Sequence, residues 1–471
     1  MAFGFRNKKK NSADVIFING NIYTGDDDAP FVGAAAVKDE KIMAVGDCED
    51  IEELSSSDTV VHDLEGKYVY PGFIDAHSVF LRELFKDRYL ELDPVWDLDT
   101  VLDEVRDKAE DGDDTVFAWG FNYHILDDYD TGEDRRALLD EISTEQTIVL
   151  LASDGFTLWL NTAAMDIIEQ VKEDEEADQV TVNQALHILL DYDEEDIAGD
   201  MSTLSLELAE KGFTSIFDSY SLPFFNSVFQ HAYFTALGDS NPLRQRFMGS
   251  LTINRKIMPQ LVSGLLLGDQ AKCIELGDMM NYDTLKVEIG QDERLSYFSE
   301  EDLAEVLAPS VERGFNVNID ALDEESVIKS YRVLDAFRDK GAKGSTFVIA
   351  SDFNLPDEVR AELTSAETIT ETWATPLVPS TVISHCDTAE EALAQLTTEA
   401  AAITGKNGCL GAVEPGCYAD FAVFDENLLE KGLGAFRNPS AAMTVIGGEI
   451  VYDRENEELA EMYDVMLGQR V

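Results

Sequence analysis

Strand-like segments at both ends of the chain enclose a long middle in which short apolar runs alternate with helical segments, and that order restricts the fold more than any single motif does. At the N-terminal end, residues 14–18 and 21–24 read as strands joined by the turn Asn19-Gly20, followed by strands over 34–37, 41–45 and 60–64. At the C-terminal end, 419–424, 442–446 and 449–452 have the same texture, the last two joined by Gly447-Gly448. Between them, strands are expected over 73–77, 115–119, 147–152, 215–218, 246–251, 285–289, 316–320, 347–350, 368–373 and 381–385. Helices are expected over 102–109, 202–211, 301–313, 325–339 and 389–403, the last opening on a capping box of Thr388 and Glu391. The expectation is an α/β barrel over 71–405 and a small β domain assembled from 13–70 and 406–455. A basic tail (1–12) and a C-terminal tail (456–471) flank them.

At 471 residues with 45% hydrophobic content, the chain can bury a large core. Its 94 acidic residues outweigh 35 basic ones, for a formal net charge of -59. That balance opposes binding to nucleic acid, which needs clustered Lys and Arg, and to anionic membrane surfaces. Acidic runs such as Glu173 to Glu176 read as solvated faces. The sequence shows no apolar run long enough to span a bilayer and no secretory-type apolar segment behind the basic N-terminus, so a cytoplasmic location is expected. Cys48, Cys273, Cys386, Cys409 and Cys417 form no CxxC pair and are expected as free thiols. Cys386 stands between His385 and Asp387, but neighbours on a strand face opposite ways, so that triplet is no catalytic arrangement.

Chemistry concentrates in the stretch around Pro71-Gly72, where an apolar run breaks and Phe73-Ile74 leads into Asp75-Ala76-His77. On a strand, Asp75, His77 and position 79 share one face, a row suited to metal ligands. Position 79 is valine. Trp119, Tyr123 and Trp159 are expected to pack the interior or line a pocket, and His124 and His231 have no evident partner.

Several phrases in order carry a resemblance. They are Asn19-Gly20-Asn21-Ile22-Tyr23-Thr24, Pro71-Gly72-Phe73-Ile74-Asp75-Ala76-His77-Ser78, Trp119-Gly120-Phe121-Asn122, Trp159-Leu160-Asn161-Thr162-Ala163-Ala164, and Gly411-Ala412-Val413-Glu414-Pro415-Gly416. Along nearly its whole length the chain resembles the amidohydrolase superfamily, in the branch that includes N-substituted formamide deformylases. The resemblance implies a distorted (β/α)8 TIM-like barrel with a β-sandwich domain built from both termini, and catalytic groups at the C-terminal strand ends. It also implies a metal site of two histidines after strand 1, a lysine on strand 4, histidines on strands 5 and 6 and an aspartate on strand 8.

Carried over residue by residue, His77 keeps the first histidine and Val79 replaces the second. Lys286 keeps the strand-4 lysine, Asp320 takes the strand-5 histidine position and Ala350 the strand-6 one. Phe156 stands where the substrate-side histidine follows Asp-Gly, and the strand-8 aspartate falls on His385, or on Asp387 if the strand shifts by two. With so many ligands replaced, a two-metal centre is not expected, and no cofactor is expected. A single divalent, zinc-like metal held by His77, Asp320 and His385 is the alternative. The simpler expectation is that Lys286 and Asp320 pair and supply the site's positive charge themselves.

His77, Lys286 and Asp320 are thus the candidate catalytic residues, with Asp75, Trp119, Phe156, Glu288, His385 and Asp387 as candidate pocket residues. The resemblance implies a hydrolase of carbon-nitrogen bonds other than peptide bonds, such as amides or formamides, with ordinary binuclear metal hydrolysis absent. The alternative is a catalytically inactive relative that acts as a small-molecule binding or scaffold protein. The expected partner is a small-molecule ligand or substrate, with neither nucleic acid nor membrane; a homodimer is compatible with the resemblance.

Overall fold

This computed structural model describes residues 12–26, 30–129, 131–174, 181–190, 192–219, 221–237, 242–255, 258–292, 296–341, 344–351, 369–372 and 386–455. The largest sheet is a curled, parallel one of seven strands: β1 (Phe73–Ser78), β2 (Phe213–Asp218), β3 (Arg246–Ile253), β4 (Met280–Ile289), β5 (Asn316–Ala321), β6 (Phe347–Ala350) and β7 (Ile369–Thr372). They lie side by side in chain order, as alternating strands and crossover helices require. The strand expected over 381–385 lies outside the described residues.

Alternation along β4 and β5 sorts the two faces of this sheet. Leu285, Val287 and Ile289 of β4 and Val317 and Ile319 of β5 share a core with Leu303, Val306 and Leu307 of the helix Glu300–Val311. Lys286, Glu288, Asn318 and Asp320 therefore occupy the opposite face. Towards β1, that inner space is closed by Ile74, Ala76, Phe217, Met248 and Val348, packed on Ala400 and Ala401. The helix expected over 389–403 is in fact two, Ala389–Leu396 and Thr398–Ile403, broken at Thr397 (φ -132, ψ -89); its capping box between Thr388 and Glu391 is present.

The strands expected over 115–119 and 147–152 do not join this parallel sheet. Thr115–Phe121 and Thr147–Ala152 pair with each other and with Leu90–Glu91 and Leu158–Leu160, a separate four-stranded sheet inserted between β1 and β2. Gly120 is required there. Its φ of +115 is closed to most side chains, and a Cβ would lie 2.3 Å from the Leu92 carbonyl oxygen.

Two further sheets follow, the first built from the N-terminal end alone and the second from strands of both ends of the chain. One orders Lys41–Gly46, Ala34–Lys38, Val15–Ile18 and Val60–Asp63. The other orders Glu449–Asp453, Met443–Ile446, Phe421–Phe424, Tyr68–Pro71, Asn21–Tyr23 and Phe31–Val32. Phe17, Ala35 and Val37 of the first share a core with Val69, Phe421 and Val445 of the second. A buried fork ties these strands to the barrel sheet: at the start of β3, Arg246 Nε donates to Asp420 Oδ2 at 2.7 Å and Nη2 to Oδ1 at 3.0 Å. The Gly447 amide also donates to Asp420, and the Tyr418 ring lies 3.9 Å from the Arg246 guanidinium.

Among the described residues, no helix is long and apolar enough to cross a membrane. All five cysteines are free thiols.

Candidate functional site

The register of β3, β4 and β5 builds the site. Thr252, Lys286 and Asn318 are in line across the three strands, and Glu288 and Asp320 lie one inward position nearer the C-terminal ends. Lys286 Nζ donates to Asn318 Oδ1 at 2.8 Å and to Asp320 Oδ1 at 2.6 Å. The lysine side chain is wholly excluded from solvent, while the Asp320 side chain keeps 13% of its exposure. An ammonium so placed is held by its two oxygen partners, since burial alone favours the neutral amine. Burial pulls the Lys286 pKa below the ordinary lysine value, and the Asp320 charge opposes that pull.

His77 lies at the end of β1, where the pairing with β2 shifts register after Asp75, and the charges of Lys286 and Asp320 act on it. Its pKa is lowered to about 4, first by burial and then by the Lys286 charge, with Asp320 acting the other way. The imidazole is therefore neutral near pH 7. Its Nδ1 is buried with no hydrogen-bond partner, and so is Asn318 Nδ2. Buried polar atoms of this kind are rarely left unsatisfied, and Asn318 Nδ2 belongs to the side chain that accepts from Lys286.

Carboxylates complete the electrostatics. Glu288 is half-buried, and its pKa is pushed up to about 7 by desolvation and by the neighbouring Asp320 charge, against Lys286. Asp75 is also pushed up to about 7, by burial and by the charge of Asp218, despite hydrogen bonds from Ser78 and the His77 amide. Asp218, at the end of β2, is raised to about 7 by burial while accepting bonds from Ser221 and from the Leu81 amide.

Other candidates from the sequence sit elsewhere. Position 79 is not in the strand row: β1 ends at Ser78, and Val79 is the N-cap residue of the helix Phe80–Phe85. Trp119 belongs to the inserted sheet and packs edge-on against Tyr89 and Phe225. Phe156 is half-buried in the loop after Thr147–Ala152, where the Arg255 guanidinium lies 6.0 Å from its ring. Asp387 is exposed just before the helix Ala389–Leu396, and its amide donates to Glu391. His385 lies outside the described residues. Asn318, Asp218 and Arg255 were not singled out from sequence. Asn318 could have been found as the residue two before Asp320 on the same strand face.

The amidohydrolase family profile matches residues 60–371 and 377–452, most of the chain. The chain belongs to the amidohydrolase family. Among curated relatives, the protein LONG AFTER FAR-RED 3 of Arabidopsis thaliana is 28% identical over 156 residues, which cover 33% of this chain and 26% of that protein. N-substituted formamide deformylase of Arthrobacter pascens is 27% identical over 157 residues, covering 33% and 29%. The matched stretch thus spans under a third of either relative. Among solved structures, an uncharacterized metal-dependent hydrolase from Pyrococcus horikoshii superposes with a TM-score of 0.53 at 14% identity, covering 88% of this chain and 98% of that one. A triazine hydrolase variant superposes with a TM-score of 0.52 at 12% identity, covering 96% and 99%. These likenesses concern the fold.

Metal-dependent relatives raise the question of whether this amidohydrolase chain has a donor set for such an ion. Among the described residues, no group of three or more His, Cys, Asp or Glu side chains is placed to hold one. Asp320 is committed to Lys286, and the positions carried over from the family's second and strand-6 histidines are Val79 and Ala350. The described residues alone bring together no donor set for a metal centre, and His385, the third member of the single-metal alternative, lies outside them.

Proposed function

We propose that this amidohydrolase chain acts on a carbon-nitrogen bond of a small amide or formamide without a metal centre, with Lys286, Asn318 and Glu288 in the roles that matter. The observation that carries the reading is the Lys286–Asp320 pair at 2.6 Å, a fixed ammonium donor whose charge Asp320 balances, with Asn318 bonded beside it. Lys286 Nζ and Asn318 Nδ2 are the donors for a substrate carbonyl oxygen, and they stabilise the oxyanion that forms when water adds to the carbon. Glu288, next along the inner face, takes the proton of that water and returns it to the leaving nitrogen. A carboxyl group near pKa 7 is suited to both steps. Neutral His77 orients the amide through Nδ1.

On this reading, the sheets built from both termini form the β-sandwich domain (13–70 with 406–455) beside a barrel over 71–405. The inner face of the barrel takes the small-molecule substrate. A second reading, a binding protein without turnover, is favoured by one observation: Lys286 is already satisfied by two protein oxygens.

A screen of N-substituted formamides and simple amides, with amine release as the signal, separates the two. Turnover that rises with pH through about 7 and falls by at least about a hundredfold in Glu288→Gln supports the hydrolase. Substrate-dependent thermal stabilisation without amine release, lost in Lys286→Met, supports the binding protein.

A further inference from the structure

A second polar site stands at the end of β3, where the sequence passes from Ile253 to Asn254 and Arg255. Arg255 Nη1 is 2.9 Å from Asp154 Oδ2, and Asp154 is almost wholly buried in the inserted sheet's loop. Asp154 is heavily engaged there: Oδ1 accepts the Phe156 and Thr157 amides at 2.7 and 2.9 Å, and Oδ2 accepts the Thr157 hydroxyl at 2.8 Å. The guanidinium is thereby pinned by one nitrogen. Its faces meet aromatic rings, Tyr123 at 5.3 Å and Phe156 at 6.0 Å. Arg255 Nε, however, is buried and has no hydrogen-bond partner, and neither has Asn254 Oδ1 beside it. Tyr123 also lines a cleft of 300 Å³ whose charged walls are Arg135, Arg136 and Asp127, a cationic neighbourhood in a chain of net charge -59.

We infer that Arg255, flanked by Tyr123 and Phe156, is a specificity residue that receives a carboxylate on the substrate, remote from the amide. A guanidinium held at one corner by Asp154 presents its Nε edge in a fixed direction, and a carboxylate is the group whose two oxygens match such an edge. The rings confine the approach and add favourable faces to the cation. Arg255 is three residues beyond Thr252, which is in register with Lys286, and β3 ends at Ile253, so the Arg255 Cα lies within about 10 Å of the Thr252 Cα. The substrate class is then an N-acylated amine carrying a carboxylate several bonds from its amide. The inference rests on the reading of the Lys286 site as an amide site.

The test is calorimetric binding of 6-acetamidohexanoate and its neutral counterpart 6-acetamidohexanamide to the full chain and to Arg255→Met, Arg255→Lys and Lys286→Met. The native protein is expected to prefer the carboxylate by at least about tenfold, the factor of one charge-assisted hydrogen-bonded contact. Arg255→Met removes that preference and leaves the affinity for the neutral compound unchanged. Arg255→Lys, which still offers Asp154 a cation, loses most of it. Lys286→Met weakens both compounds alike. Equal affinity for the two compounds, or a preference that survives in the Arg255 variants while Lys286→Met weakens both, overturns the role of Arg255 alone. A preference lost in the Arg255 variants with Lys286→Met neutral supports Arg255 and overturns the amide site. Failure of the native protein to bind either compound overturns both.

Discussion

Lys286 and Asp320 meet at 2.6 Å across adjacent strands, with the lysine side chain entirely out of water. Removing one partner of such a pair strands a buried charge, which costs more than the pair itself contributes. Lys286→Met and Asp320→Asn are each expected to lower the unfolding free energy by about 3 to 5 kcal/mol, and the double variant by clearly less than their sum. Urea denaturation of the four proteins measures this. Single losses below about 1 kcal/mol would show that the pair is solvated and unimportant.

The Arg246–Asp420 fork joins β3 to the strands contributed by the C-terminal end, with the Arg246 side chain 2% and the Asp420 side chain 5% exposed. Arg246→Met leaves Asp420 buried without its fork, so a loss of about 3 to 5 kcal/mol is expected. Arg246→Lys should recover little, because one ammonium cannot reproduce two parallel bonds. Thermal melts of both variants check the order: native above Arg246→Lys, which stays near Arg246→Met.

The buried acids give stability a definite pH dependence. Asp218 has a native pKa of about 7 against 3.8 for the free side chain, so in that window the folded form holds a proton that the unfolded form has released. Its contribution is complete below 3.8 and is lost as pH rises through about 7. Asp218→Asn, which can still accept the Leu81 amide, is expected to flatten this fall. The variant should gain on the native protein between pH 5 and pH 8 by on the order of 3 kcal/mol. His77 acts in the opposite sense: with its pKa lowered from 6.5 to about 4, stability is lost as pH falls through that window. An unchanged difference between native and Asp218→Asn across this range would contradict the burial of an acid at that position.

Much of the architecture could be read from the sequence because local patterning determines strands and helices. The barrel strands β1 to β6 and the terminal strands fall within a few residues of their expected places, as do the helices Glu300–Val311 and Glu324–Asp339. What patterning cannot supply is the neighbour of each strand. Thr115–Phe121 and Thr147–Ala152 are apolar and β-prone like barrel strands, and only their pairing with Leu90–Glu91 and Leu158–Leu160 sets them apart. The helices Pro223–Ala236 and Pro259–Lys272 were missed from sequence. In the second of these, apolar residues lie all round the axis, so no helical period stands out. At the site, the pairing of Lys286 with Asp320 was legible because the family resemblance puts them on consecutive strands, although the register sets Lys286 opposite Asn318 and Asp320 opposite Glu288. Asn318, Asp218 and Arg255 were not, since their importance comes from burial and from partners distant in sequence.

Gly120 offers a backbone test of the inserted sheet. A methyl group there meets the Leu92 carbonyl at 2.3 Å and forces a residue with φ of +115 into a strained region. Gly120→Ala is expected to cost about 2 to 3 kcal/mol, with hydrogen exchange accelerated first in the strands Thr115–Phe121 and Leu90–Glu91.

The claim that an internal ion pair takes the place of a metal centre is tested most directly by metal content. Elemental analysis of untagged protein, purified without chelator, is expected to find zinc, iron and manganese far below one equivalent per chain, with melting temperature and any amine-releasing activity unchanged by chelator. About one equivalent of a divalent metal that disappears in His77→Ala would contradict the account.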